Sequence, residues 1–422
     1  MSMGRVGYTL LAWLAVPLAL LHLLRRAVRQ RDYLKHIPER FGILPPAPDQ
    51  PVIWVHAVSV GETRAAQPLI AGLLASHPGH CILLTHMTPT GRAVGEALYG
   101  DRVDRCYLPY DLPFAVRRFL SRFRPAVAIF METELWPNYI NECRRRGIRT
   151  YLVNARLSEK SFRGYRRVPG LSRPMLQQVT LIIAQGRDDA RRFRELGAPR
   201  VRVAGNVKFD IVPPAEQLAL GERLRERFGR DRPVLLAAST REGEEAELLT
   251  ALAGLDVPRL LIVIVPRHPQ RFDEVAILVR RRGFQVERRS REAPVSHETR
   301  VVLGDSMGEM FAYYAACDVA FIGGSLLPHG GQNLIEACAV GKPVIVGPSV
   351  FNFEQAVREA VAAGAAVQVQ DAAGVAREAQ RLLIDTARIY EMGEAARRFA
   401  EKHRGATART LEMIRVDRVR EG

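Results

Sequence analysis

Apolar positions are arranged along this chain in two distinct ways. Val6 to Leu24 is a single uncharged run of 19 residues, whereas later apolar residues recur as short runs separated by amphipathic stretches. As a helix the first run is long enough to cross the roughly 30 Å hydrocarbon core of a bilayer. The short runs predict strands at Val52–His56, Cys81–Thr85, Val103–Leu108, Ala126–Met131, Thr150–Val153, Leu181–Ala184 and Val201–Ala204. Gly61–Ser76, Pro89–Tyr99, Asp111–Arg122 and Trp136–Gly147 read as helices between them. After a polar stretch from Ile211 to Arg232 the rhythm resumes at Val234–Ala238, Leu260–Val265, Arg300–Leu303, Val319–Ile322 and Val344–Val346. Strand spacings of about 20 to 30 residues are those of βα units feeding a parallel sheet. The expected fold is therefore α/β, with two doubly wound Rossmann-like domains and the ligand in the cleft they face.

The expected boundaries are an anchor over 1–30, a first domain over 31–212, a linker over 213–232, a second domain over 233–386 and a helical tail over 387–422. For the arginine-rich tail two placements are open, packed across the cleft or exposed. Only Arg5 precedes the first apolar run, while Arg25, Arg26, Arg29, Arg31 and Lys35 follow it. That bias places the body of the protein on the cytoplasmic side of a single-pass anchor. A cleaved signal peptide fits less well, because no small-x-small site follows the run.

A net charge of +16 favours anionic partners such as phospholipid or phosphorylated substrates. Only five of the 61 basic residues are lysine, and no aromatic-interleaved basic stretch suggests nucleic acid. Five scattered cysteines without C-x-x-C or histidine partners argue against a zinc site or disulfide framework. D-x-D, H-E-x-x-H, Walker and G-x-S-x-G patterns are missing from the sequence. This weighs against a metal-held diphosphate, a zinc protease, a nucleotide triphosphatase and a serine hydrolase; no metal or cofactor is expected.

Candidate chemistry falls at predicted strand ends. Gly323-Gly324-Ser325, followed by Gly330-Gly331-Gln332-Asn333-Leu334-Ile335-Glu336, joins glycine-rich turns to a helix start with an acid. Glycines admit a phosphate close to the backbone and helix N–H groups point at it, while Glu336 suits ribose hydroxyls. The plainer reading is that these glycines only shape tight turns. Thr240 and Arg241 follow one strand, Pro266, Arg267 and His268 the next, and Met307, Gly308 and Glu309 another. In the first half, Ser59-Val60-Gly61-Glu62 sets a carboxylate at a glycine turn opening a helix. It serves either as a general base or as an acid stabilised by the helix dipole. Glu132 and Glu134 precede Pro137, with Glu134 a candidate cap. Arg156 and Lys160 follow the next strand, and Lys208 sits in Gly205-Asn206-Val207-Lys208-Phe209-Asp210.

Taken in order, Ser59–Glu62, Glu132–Asn138, Asn154–Ser158, Gly205–Asp210, Pro266–Pro269 and Gly323–Glu336 resemble the 3-deoxy-D-manno-octulosonic acid (Kdo) transferases of Gram-negative bacteria. The resemblance implies a GT-B glycosyltransferase at the cytoplasmic face of the inner membrane, moving Kdo from CMP-Kdo to lipid IVA without a metal. By the same resemblance Glu62 is the general base, and Glu132 with Lys208 supports the transition state. Arg267, His268, Met307, Gly308, Glu309 and Asn333–Glu336 are implied as CMP contacts. Two other classes are weighed beside it: a UDP-sugar transferase or epimerase of the same fold, and a non-catalytic basic membrane or nucleic-acid binder.

Overall fold

The computed structural model describes residues 3–292 and 294–416. Residues 1, 2 and 417–422 of the expected anchor and tail lie outside the described residues, as does the Arg29 side chain. The chain divides into two units, Met1–Asp210 with Arg404–Gly422, and Ile211–His403.

Among the described residues, the first unit holds a seven-stranded parallel sheet. Its strands are β1 (Val52–His56), β2 (Cys81–His86), β3 (Asp104–Tyr107), β4 (Val127–Met131), β5 (Arg149–Ala155), β6 (Leu181–Ala184) and β7 (Val201–Val203), in the order β3-β2-β1-β4-β5-β6-β7. An apolar helix α1 (Met3–Arg29) leads in. The crossovers are α2 (Val60–Ala65), α3 (Gln67–Ser76), α4 (Pro89–Tyr99), α5 (Pro113–Phe123), α6 (Pro137–Arg145), α7 (Glu159–Arg166), α8 (Pro169–Gln178) and α9 (Arg187–Glu195). Helices on both faces explain why β1 is buried at every position, with Val52 and Trp54 in one core and Ile53 and Val55 in the other. Trp54 packs among Phe119, Phe130 and Tyr139, and its Nε1 donates to Thr85 Oγ1 at 2.8 Å. The helix expected over 61–76 is two pieces, because Pro68 restarts it as α3.

The second unit repeats the plan. Among the described residues its seven strands are β8 (Val234–Thr240), β9 (Leu261–Pro266), β10 (Val286–Arg288), β11 (Val301–Leu303), β12 (Val319–Ile322), β13 (Val344–Val346) and β14 (Ala366–Gln368), ordered β10-β11-β9-β8-β12-β13-β14. Its helices are α10 (Ala215–Phe228), α11 (Glu244–Leu252), α12 (Phe272–Arg281), α13 (Met310–Ala316), α14 (Ile335–Ala339), α15 (Glu354–Ala362), α16 (Ala372–Leu383) and α17 (Thr386–His403). Most of the stretch expected as a linker is α10, which packs on α13. A Cβ at Gly221 would come within 2.4 Å of the Ala315 side chain, so glycine permits that approach.

The tail divides between the units. α17 belongs to the second, whereas α18 (Ala406–Met413) packs on α3 in the first, with Leu411 in the room left by Gly72. Asp210 joins this helix to the rest of its unit. Its carboxylate accepts from Gly405 N at 2.5 Å, Ala406 N at 3.2 Å and Thr407 N. Helix-start N–H groups have no partner within their own helix, and a carboxylate there also opposes the dipole. Asp210→Ala is therefore expected to cost about 2 kcal/mol of stability, read as a lower urea midpoint of the first unit's transition. An unchanged midpoint would show that α18 is held by apolar packing alone.

Candidate active site

In both units the strand order reverses beside the first strand, so the loops leaving two adjacent strands turn to opposite faces. Ligands on open parallel sheets bind at such a switch point, beyond the strands' carboxyl ends. In the first unit it lies between β1 and β4, and in the second between β8 and β12.

Glu62 follows β1. Ser59 caps α2; its Oγ donates to Glu62 Oε1 at 3.0 Å, and Val58 N donates to Oε2 at 2.9 Å. This resembles a capping box, in which the third helical residue folds back on the helix start. Yet burial drives the carboxyl up to about 8, against the Val58 and Ser59 hydrogen bonds, and the charges of Glu134 and Glu132 push the same way. A cap alone would gain nothing from two acids nearby. Exposed Gly61 has no non-neighbouring atom closer to its missing Cβ than Ser59 Oγ at 3.9 Å, so the space beside Glu62 is open.

Glu132 and Glu134 follow β4. Glu132 is a non-glycine residue at φ 54°, a left-handed conformation in which strain is retained where surrounding structure enforces it. Its N–H is held by Val153 O at 2.9 Å, and its Oε1 meets Lys208 Nζ at 2.8 Å. Lys208 reaches it from beyond β7 because Asn154 Oδ1 accepts Val207 N at 3.1 Å and Asn206 Oδ1 accepts Lys208 N at 3.0 Å. Glu134 accepts from Trp136 Nε1 at 3.0 Å, and burial lifts its carboxyl to about 7. Beneath it the fully buried His56 is kept neutral by burial, its pKa lowered to about 3. Its Nδ1 pairs with Thr85 Oγ1 at 2.9 Å and its Nε2 lies 3.9 Å from Glu134 Oε2. The expected pair Glu132 and Lys208 is thus brought together beside Glu62. Arg156 is half-buried at the end of β5, whereas Lys160 is exposed in the first turn of α7 and joins no hydrogen bond of this group.

In the second unit the β12 loop folds back on itself through Gly331 N to Gly324 O at 2.6 Å and Gln332 N to Gly323 O at 3.0 Å. Gly324, Gly330 and Gly331 all have positive φ, which glycine alone adopts without cost. Gly323 touches the end of β8, where a Cβ would lie 2.6 Å from Ser239 O. Buried Glu244 fixes that contact, accepting from Arg241 N at 2.8 Å, Gly324 N at 2.6 Å and Leu326 N at 2.9 Å. Ser325, also buried, accepts Gly347 N at 2.8 Å and serves the loop's own packing. Asn333 Oδ1 accepts Ile335 N at 3.0 Å and its Nδ2 donates to Glu336 Oε1 at 3.2 Å, which orients Glu336 at the start of α14. Leu334 and Ile335 are buried core residues of that turn.

Cations gather on the β8 and β9 loops. The charges of Arg241, Arg267 and Arg271 reinforce the burial that lowers the pKa of exposed His268. Arg271 is already paired with Glu245 at 2.7 Å, and Glu245 also accepts from Thr240 Oγ1 at 2.7 Å. Arg241 and Arg267 bring positive charge to this edge, suited to a phosphate, and His268, its pKa lowered, stands beside them as a hydrogen-bonding group. After β11, Met307 and Gly308 are exposed, but the Glu309 carboxylate is engaged by Ser306 at 2.6 Å and Arg289 at 3.3 Å. What that turn offers a ligand is main chain.

A family model described as 3-deoxy-D-manno-octulosonic-acid transferase (kdotransferase) matches residues 35–211, and one described as glycosyl transferases group 1 matches 247–403. The 3-deoxy-D-manno-octulosonic acid transferase of Bordetella pertussis is 45% identical, over 98% of this chain and 99% of its own. The chain belongs to the Kdo transferase family. The Haemophilus influenzae transferase of that name is 38% identical over 98% of each chain. A glycosyltransferase from Rickettsia africae, 15% identical, matches 87% of this chain and 98% of its own with a TM-score of 0.60, a likeness of fold. This fold is GT-B, as the family implies.

Several residues that organise the site went unread in the sequence. Glu244 and Glu245 open a helix, where acids are ordinary, and only burial reveals them as ties between loops. Asn154, at φ 53°, opens a segment named in the resemblance, but its hold on Val207 N is not legible there, and His56 only ends an apolar strand. The carboxylate coupling is measurable by 13C NMR. The Glu62 carboxyl should titrate near pH 8. In Glu134→Gln, which removes a neighbouring negative charge, that midpoint should fall. A midpoint unchanged by the substitution would contradict the coupling.

Proposed function

We propose that this chain moves Kdo from CMP-Kdo to the lipid A precursor lipid IVA, with Glu62 as general base and inversion at the anomeric carbon. Glu62 in its deprotonated form takes the proton of the acceptor's sugar hydroxyl. The hydroxyl oxygen bonds to the anomeric carbon as the bond to the CMP phosphate breaks, and CMP leaves as a phosphomonoester. One displacement suffices, since this reading assigns no second nucleophile. Ser59 orients the base, and Gly61 leaves space beside it.

The observation that carries this reading is the pairing of a half-buried, hydrogen-bonded Glu62 with the Glu132–Lys208 ion pair at one switch point. Lys208, held by Glu132, supplies positive charge where negative charge develops. Arg156 and Lys160 are assigned to the acceptor side. On the donor side, Arg241, Arg267 and His268 hold the phosphate, while buried Thr240, its hydroxyl spent on Glu245, and Pro266 shape the strand ends that carry them. The 307–309 main chain meets the base, and Asn333 with Glu336 meets the ribose; Gly324, Ser325, Leu334 and Ile335 shape that grip. The apolar α1 attaches the protein to the cytoplasmic face of the membrane carrying the lipid acceptor.

Purified full-length protein incubated with CMP-Kdo and lipid IVA should yield Kdo-bearing lipid by mass spectrometry. Glu62→Gln should keep CMP-Kdo binding and lose turnover by on the order of 10² or more. Glu336→Ala should chiefly raise the donor KM. Near-normal kcat in the first variant, or a donor KM unmoved in the second, would overturn the respective role.

A further inference from the structure

The length of α1 satisfies a membrane span, and its contacts with the first unit allow a second arrangement. α1 runs along the first unit, in contact with α6, α8 and the turn at Arg31–Leu34. Near its start Gly4 lies so close to α8 that a Cβ would sit 2.5 Å from Gly170 O. The Tyr8 hydroxyl hydrogen-bonds to buried Asp111, which also accepts from Asn138 N and Tyr139 N, each at 3.0 Å. Thr9 Oγ1 donates to Asn138 Oδ1 at 3.2 Å, and Trp13 stacks on Phe114 with ring centroids 5.4 Å apart. Near its end Leu23 and Ala27 are buried against Tyr33 and Tyr110. Both ends of the helix therefore rest on the same unit.

The two faces differ in kind. The protein-facing positions include small Gly4, Ala12, Ala19 and Ala27, hydrogen-bonded Tyr8 and Thr9, and the buried Leu23. The outward stripe is leucine at positions 10, 14, 18 and 21, with Leu14 73% and Leu18 67% exposed. Exposed Leu34 follows the helix, and exposed Arg25, Arg26 and Arg31 border its end with positive charge, Lys35 being paired with Asp32 at 2.8 Å. A spanning α1 would have to abandon the Asp111 and Asn138 ties or carry α6, with Arg144 and Arg145 in its last turn, into hydrocarbon.

We propose that α1 lies in the plane of an anionic phospholipid leaflet, docked on the first unit, with its leucine stripe in the acyl layer and both ends on the protein's side. This replaces the spanning arrangement expected from length alone. An apolar face with cations at its border is the form of an interfacial helix, and the basic rim complements anionic headgroups.

Two cysteine pairs in the full-length Cys81→Ser protein test it in native membranes, using a short bismaleimide: Thr9→Cys with Asn138→Cys, and Trp13→Cys with Phe114→Cys. Crosslinking within the chain by either pair, seen as a gel shift, is the expected result. Failure of both pairs overturns the proposal, because a spanning helix holds these positions at bilayer depth, away from the unit. In flotation with vesicles of phosphatidylglycerol and phosphatidylcholine, Leu14→Gln with Leu18→Gln should weaken binding at least about tenfold. Binding of the unsubstituted protein should fall when phosphatidylglycerol is omitted. Undiminished flotation of the leucine variant overturns the proposal. So does a leucine variant that loses only self-association, since the stripe would then cover a second copy of the chain.

Discussion

Everything chemical in this chain depends on one constraint of parallel sheets: each crossover returns the chain to the same edge, so every strand ends among the other strands' ends. A reversal of winding then parts two neighbouring loops and leaves a place for a ligand. Both units have this reversal, at β1 and β4 and at β8 and β12. Glu62 and Glu132 leave the first pair of strands; Arg241 and the glycine loop leave the second. Residues far apart in the chain become neighbours through backbone geometry, and side-chain ties then set their distances.

Those ties differ between the units because the charges they manage differ. In the first, three carboxylates stand close together, and burial, with their repulsion added to it, pushes the Glu62 and Glu134 carboxyls up. Lys208 balances Glu132, leaving Glu62 with hydrogen-bond donors but no ion pair among the described residues. In the second, buried Glu244 and Glu245 fix the loops, while Arg241 and Arg267 bring positive charge to the edge beside His268, whose pKa burial and these charges lower. The arrangement suits proton removal in one unit and retention of a phosphate in the other.

Much of this was legible in the sequence because buried parallel strands are continuous apolar runs, as Val52–His56 and Leu260–Val265 are. β10 and β14 were missed. Both are three-residue edge strands without a continuous apolar signal, Val-Glu-Arg and Ala-Val-Gln. The supposed linker concealed α10 because most of its surface is polar, although Leu224 and Phe228 are buried. The meeting of Glu132 and Lys208 follows from a family resemblance, but no local pattern reveals that Asn154 in the left-handed region steers Lys208 there. The length of α1 could be counted, whereas its docking depends on Asp111, a residue about a hundred positions away.

On the proposed reading, one carboxylate of high pKa removes the acceptor's proton. The pH dependence of kcat/KM for the acceptor tests it most directly, because it reports ionisations of the free enzyme. A base whose pKa is raised to about 8 is protonated at neutral pH, so the rate should climb as pH rises and level off above 8. In Glu62→Gln the residual rate should lose that limb. A limb near pH 8 that persists unchanged in Glu62→Gln would assign the proton to another group and rule out Glu62 as the base.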